Sequence, residues 1–136
     1  MSAANKAVVQ RFNHEVIQAC QREVFEALVA EDFVNRTAPP GQPAGRESLW
    51  MTFHDVLHPG LSELKVEILD QIAEDDRVTT RKRITGQHTG ALMGIPATGR
   101  AVLIEVIDIV RVRDGQYVEH WGMNSLASVL AGLRSA

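Results

Sequence analysis

Apolar residues recur at helical spacing over roughly the first sixty positions and at strand spacing over most of the rest. Val9, Phe12, Val16 and Ala19 or Cys20 fall on one stripe, with Gln10, Arg11, Glu15 and Gln18 elsewhere, which predicts a first helix. A second, short helix is predicted over residues 22–30, with Val24, Phe25 and Leu28 as its apolar face. Ala38-Pro39-Pro40-Gly41-Gln42-Pro43-Ala44-Gly45 then interrupts the pattern; three prolines and two glycines in eight residues suit neither a helix nor a central strand. Such a stiff loop can shape the rim of a pocket. A third helix is predicted over residues 46–56, turning Leu49, Trp50, Phe53 and Val56 inward, with its end near His58 because Pro59-Gly60 follows.

From Leu61 the period changes to two. Leu64, Val66 and Ile68 alternate with Lys65 and Glu67, Glu74-Asp75-Asp76 makes a turn, and Val78, Thr80, Lys82 and Ile84 begin a return strand. The run Ala101–Arg113 is a long strand. Asp114-Gly115 after it is the chain's strongest hairpin signal, since a type I′ turn needs positive φ at both central positions. A last strand over residues 117–123 and a closing helix over residues 126–133, with Val129, Leu130 and Leu133 facing in, complete the pattern. Helices followed by a four-strand meander define an α+β architecture, with three helices on one face of the sheet.

The chain of 136 residues suits one domain over its whole length, 1–136, with a sizeable core. An apolar content of 45% with 23% charged residues is that of a soluble globular protein. The net charge of −3, with basic residues scattered apart from Arg81-Lys82-Arg83, argues against nucleic acid as a partner. One cysteine, Cys20, gives no internal disulfide. The N-terminus lacks the apolar run of a signal peptide and no window reaches the length of a membrane span, so no membrane partner and a cytoplasmic location are expected.

Inside the strands, polar and ionisable groups sit among apolar ones, as they would in the lining of a pocket. Gly86-Gln87-His88-Thr89-Gly90, Met93-Gly94-Ile95-Pro96-Ala97-Thr98-Gly99-Arg100, Ile107-Asp108-Ile109-Val110-Arg111, Arg113-Asp114-Gly115-Gln116 and Glu119-His120-Trp121 follow in that order. Together with Ala30-Glu31-Asp32-Phe33-Val34-Asn35 and the proline loop, they resemble the SnoaL-like polyketide cyclase family of the nuclear transport factor 2-like superfamily, over nearly the whole chain. The resemblance implies a cone-shaped, curved antiparallel or mixed sheet packed on N-terminal helices, a cystatin-like α+β barrel. It also implies an apolar cavity for a small apolar ligand, and often a homodimer. Characterised members close a ring on an aromatic polyketide ester by intramolecular aldol condensation and need no metal or cofactor. That is chemically reasonable, because the proton removed lies between activating carbonyls and a modest base in a dry cavity suffices. The family's acid–base Asp lies four residues after the Trp of Glu-His-Trp. Here Ser125 stands at that position, or Asn124 after a slip of one residue, and neither side chain titrates near neutrality.

His120 is the first candidate for proton exchange, with an ordinary pKa of about 6.5, against the plainer reading of a strand histidine that shapes the cavity. Asp108 sits in an apolar run; facing the cavity it can replace the missing base, and paired with Arg81, Arg83 or Arg111 it is structural. His88 orients a substrate carbonyl or ties down its loop, and Arg81 forks onto a substrate ester or pairs with a carboxylate. Trp50, Phe53, Met51, Met93 and Trp121 are candidate apolar walls, Met123 stands beside them, and Asn124 and Ser125 bind ligand or cap the last helix. His54 and His58 share a helical face without a third ligand, too few for a metal site. Two functional readings follow, a cofactor-free cyclase or isomerase using His120 or Asp108, and a protein of the same fold that holds a small hydrophobic ligand without catalysis.

Overall fold

The computed structural model describes residues 2–135. Helix α1 (Ser2–Arg11) runs directly into a π-helical segment, Phe12–Gln18, and Cys20 ends it in the left-handed region at φ 56°. Val9, Phe12, Val16 and Ile17 are buried, whereas Ala19 is exposed, so the stripe stops short of the expected end. Helix α2 (Arg22–Leu28) ends two residues early, because Val29 and Ala30 enter a strand that the pattern did not announce. That strand, β1 (Val29–Asn35), is the principal correction to the four-strand meander. Its exposed Glu31 and Asp32 lie side by side and its register shifts between Val29 and Val34, so it carries no period-two signature.

Helix α3 (Arg46–Met51), a π-helical segment (Thr52–Leu57) and the single turn α4 (His58–Gly60) follow the proline loop. The helical path passes the expected stop because Pro59 falls in the first turn of α4, where no backbone N–H is needed. Leu49, Phe53 and Leu57 are buried, and Val56 packs partly buried against the core. Strands β2 (Leu61–Glu74), β3 (Arg77–His88), β4 (Ala101–Arg113) and β5 (Gln116–Asn124) form the expected meander, and α5 (Leu126–Arg134) closes it with Leu130 and Leu133 buried and Val129 partly so. Asp114 and Gly115 both take positive φ, 52° and 77°, as a type I′ turn requires.

The sheet order is β1-β5-β4-β3-β2, antiparallel throughout except that β1 joins β5 in parallel. The sheet is therefore mixed, and its helix-facing side carries the core. Val102, Ile104, Asp108, Val110 and Val112 of β4 are buried, while Leu103, Ile107 and Ile109 are exposed, so the even-numbered face of this strand looks inward. Among the described residues no helix is long and apolar enough to cross a membrane.

The α4 turn is locked against the loop after β3. A Cβ on Gly90 would lie 2.0 Å from the Pro59 carbonyl oxygen, a backbone atom that cannot swing away. Gly90→Ala is therefore expected to destabilise the fold by about 1–3 kcal/mol, read as a lower urea midpoint at unchanged slope.

Candidate active site

A cavity of about 400 Å³ opens between the helices and the concave face of the sheet. One wall is apolar, built by Phe12, Leu49, Phe53, Ile84, Ile104 and Leu126. The polar lining comes from the sheet, from Asn35, Lys82, Asp108, Tyr117, His120 and Asn124 on β1, β3, β4 and β5, beside Ile84 and Ile104. The pleat of β5 turns His120, Gly122 and Asn124 toward this space, and β4 adds Asp108, directly opposite Gly122 in register.

His120 is held from both ring nitrogens. Nδ1 lies 3.0 Å from Asn35 Oδ1, and Nε2 lies 3.5 Å from Asp108 Oδ2. Asn35 Oδ1 also accepts the Thr37 backbone N–H at 3.2 Å, an unambiguous donor, so it is an acceptor and Nδ1 must carry the proton. In the neutral ring the lone pair is then on Nε2, beside Asp108. Thr37 braces this arrangement further, since its hydroxyl donates to Asn35 Oδ1 and accepts the Gly122 N–H at 3.0 Å. Because Asn35 ends β1 and pairs with His120, the strand invisible to the pattern is the one that orients the imidazole.

Asp108 is 5% exposed and Lys82 4%. Lys82 Nζ donates to Asp108 Oδ2 at 3.1 Å and to Asn13 Oδ1 at 2.6 Å, and Asn13 Nδ2 donates to the Val9 carbonyl at 2.8 Å. Burial opposes ionisation of Asp108, but the Lys82 charge outweighs it and holds the carboxyl below its ordinary value, with His120 adding to the effect only in the state where Nε2 carries a proton. The acid is thus an ionised partner and not a proton donor near neutrality. Its pairing also differs from the one considered from sequence. Arg81 binds Asp70, Arg83 approaches Glu67 and Arg111 binds Asp76 and Glu119, while Lys82 between them turns inward.

Gly122 is the residue that lets the ring reach across. A Cβ there would come within 2.7 Å of His120 Cε1 and 3.1 Å of Nε2. Since the ring can rotate away, Gly122→Ala is expected to leave stability within about 1 kcal/mol of the parent while breaking the His120–Asp108 approach, visible in a crystal structure of the variant.

The remaining sequence candidates lie at varied distances from this wall. Phe53 and Asn124 border the cavity, Asn124 Oδ1 also accepting the Leu126 N–H at 3.0 Å at the start of α5. Trp121 and Met123 have the opposite parity on β5 and line a hollow on the outer side of the sheet, and Ser125, just past the strand's end, borders the same hollow, its Oγ accepting the Glu105 N–H at 2.9 Å. Trp50 packs against Phe25 and His54 behind Leu49, and Met51 and Met93 are exposed, so none of the three borders the cavity. Arg81 is exposed on the outer side with Asp70. His88 is fully buried at the far end of β3, where Nδ1 accepts the Thr98 N–H at 3.2 Å and Nε2 donates to the Ile95 carbonyl at 3.2 Å; it ties the 89–100 loop. The sequence reading missed Lys82, Asn13, Asn35 and Tyr117. For Lys82 a signal existed, because it shares parity with Val78, Thr80 and Ile84.

A curved mixed sheet closed by helices over an apolar cavity, with ionisable groups in its strands, is the build of a nuclear transport factor 2-like α+β protein. The pattern of the SnoaL-like polyketide cyclase family matches residues 7–133, and the chain belongs to that family. IdmH from Streptomyces antibioticus, a proposed polyketide cyclase, is similar at 27% identity and TM-score 0.77, covering 96% of this chain and 98% of its own. A proposed SnoaL-like polyketide cyclase from Jannaschia Sp. CCS1 shares the fold at 24% identity and TM-score 0.84, over 99% of this chain and 94% of its own. TsrD from Streptomyces laurentii shares it at 20% identity and TM-score 0.84, over 98% and 97%. No curated protein matches the sequence.

Proposed function

We propose that the cavity performs acid–base chemistry on a flat, apolar keto compound, closing a ring by an aldol-type step without a cofactor. The observation that carries this reading is His120, with its Nδ1 proton fixed by Asn35 and its Nε2 lone pair at the cavity wall beside an ionised carboxylate. In the proposed step Nε2 takes a proton from a carbon between two carbonyls. The C–H electrons pass into the adjacent C=O to give an enolate, and Asp108 faces the charge left on the imidazolium. The enolate carbon attacks a second carbonyl of the same molecule; the new C–C bond forms, the π pair becomes an alkoxide, and His120 returns the proton to it. The net change is an isomerisation. A neutral ligand suits the site, because Lys82 and Asp108 balance each other's charge within the wall.

Binding without catalysis is the competing reading, favoured by Ser125. It stands where the family's Asp would be, just past the end of β5 at the outer hollow, and its hydroxyl is engaged by Glu105. Incubation with an anthraquinone-type keto ester separates the two. Ring closure lost in His120→Ala supports the enzyme. Protection of the protein against heat by the same ester, with no product, would leave a binding protein.

We also propose that two copies pair through the outer side of the sheet. Ile107 and Met123, neighbours across β4 and β5, are 54% and 81% exposed, and with Ile109 and Trp121 they line a shallow apolar hollow. Sedimentation should give twice the chain mass, falling to one in Ile107→Glu; a monomeric parent would end this proposal.

A further inference from the structure

In the proposed step His120 is the base, and negative charge collects on a carbonyl oxygen that needs a donor of its own. Tyr117 stands on the same strand as His120 and borders the same cavity as His120 and Asp108. Its ring is buried and stacked on Phe12, with centroids 4.2 Å apart, so the side chain has little freedom to turn. Among the described residues its hydroxyl has no hydrogen-bond partner, and the side-chain polar atom that is both sealed and unpartnered is Asp108 Oδ1, not the phenol. Tyr117 is among the residues that border the cavity, so a phenol without a partner is available there to a group bound in it.

We infer that Tyr117 is the hydrogen-bond donor to the substrate's carbonyl oxygen, placed to meet the charge that develops there as His120 removes the neighbouring proton. This rests on the acid–base reading above and adds its missing half. Burial, and after it the negative charge of Asp108, pushes the phenol well above its ordinary value. The group therefore stays an O–H donor throughout the working pH range and does not compete for the proton that His120 takes. A fixed donor of this kind in a dry site favours the enolate over the ketone, because the hydrogen bond strengthens as charge appears on the acceptor. It also defines the substrate further. The carbonyl must reach the Tyr117 side of the cavity while the acidic C–H lies at His120.

The test uses Tyr117→Phe and 1,2-dihydroxyanthraquinone, a planar keto phenol whose absorption shifts when its hydroxyl ionises and whose anion resembles the enolate. With the parent protein, the bound dye should ionise at lower pH than it does with the variant, and its anion should bind at least about tenfold more tightly. Thermal stability should be equal in the two, since the hydroxyl has no partner to lose. Turnover of a ring-closing substrate should fall by about 100–1000-fold in the variant. Equal dye affinity and ionisation in parent and variant would overturn the role of Tyr117 and leave the cavity reading standing. Failure of the parent to bind the dye would overturn both. A variant that melts well below the parent would also overturn the inference, by showing that the hydroxyl holds the fold.

Discussion

Asp108→Asn loses about 3–5 kcal/mol of folding stability, because it leaves Lys82 charged, buried and opposite a neutral amide. For a chain of this size that corresponds to a fall in Tm of roughly 10–20 °C. Lys82→Met, the mirror substitution, strands the carboxylate and should cost a similar amount. The double variant Lys82→Met/Asp108→Leu should recover most of the loss, since a packed apolar pair replaces two buried charges. Recovery falls short of complete because Asn13 Oδ1 loses the Lys82 donor, at about 1–3 kcal/mol. The same pair gives an acid signature. Asp108 titrates below its ordinary value of about 3.9 in the fold, so its contribution is fully present above that pH and disappears as pH falls through the lower folded value. Urea midpoints followed from pH 7 to pH 3 should therefore drop more steeply in the parent than in the double variant. An Asp108→Asn protein as stable as the parent would refute the account of the pair.

His120→Ala is expected to lower turnover by about 10²–10⁴-fold with little change in KM, the usual contribution of a positioned proton carrier. Stability should change much less than in Asp108→Asn. The ring is partly open to the cavity, and its removal leaves Asp108 still paired with Lys82. The comparison separates two kinds of importance in residues that touch, as one holds the wall and the other works in it. An unchanged rate in His120→Ala would move the chemistry elsewhere or end the enzyme reading.

Much of this fold can be read from spacing. The alternation in β2 to β5 and the Asp114-Gly115 turn specify the meander, because each strand buries one face and exposes the other. β1 escapes such a reading, since a bulged edge strand with two adjacent exposed acids has no period to detect. Its loss hides Asn35 and with it the orientation of His120. Lys82 escapes for a different reason. Taken as part of Arg81-Lys82-Arg83 it looks like surface charge, yet a strand sends consecutive side chains to opposite faces, and only the middle one points inward. Asn13 sits on the core stripe of the first helix, a polar residue whose purpose becomes visible only when Lys82 arrives from a strand sixty-nine residues later. Asp108 and His120 were legible as unusual residues in apolar strands, whereas their being neighbours depends on the β4–β5 register and on Gly122.

The segment that leads into the rim loop begins one residue beyond the asparagine that aims His120. Thr37 bonds Asn35 through both its backbone N–H and its hydroxyl and takes the Gly122 N–H as well, while two residues on Pro39 borders the mouth of the cavity. For anyone re-engineering this protein, the two sides of the pocket are therefore unequal. Reshaping Leu49, Phe53 or Ile104 alters what fits and leaves the alignment of the imidazole alone. Grafting a new loop in place of residues 36–45 alters selectivity and reactivity together, so a library built there would have to be screened for both at once.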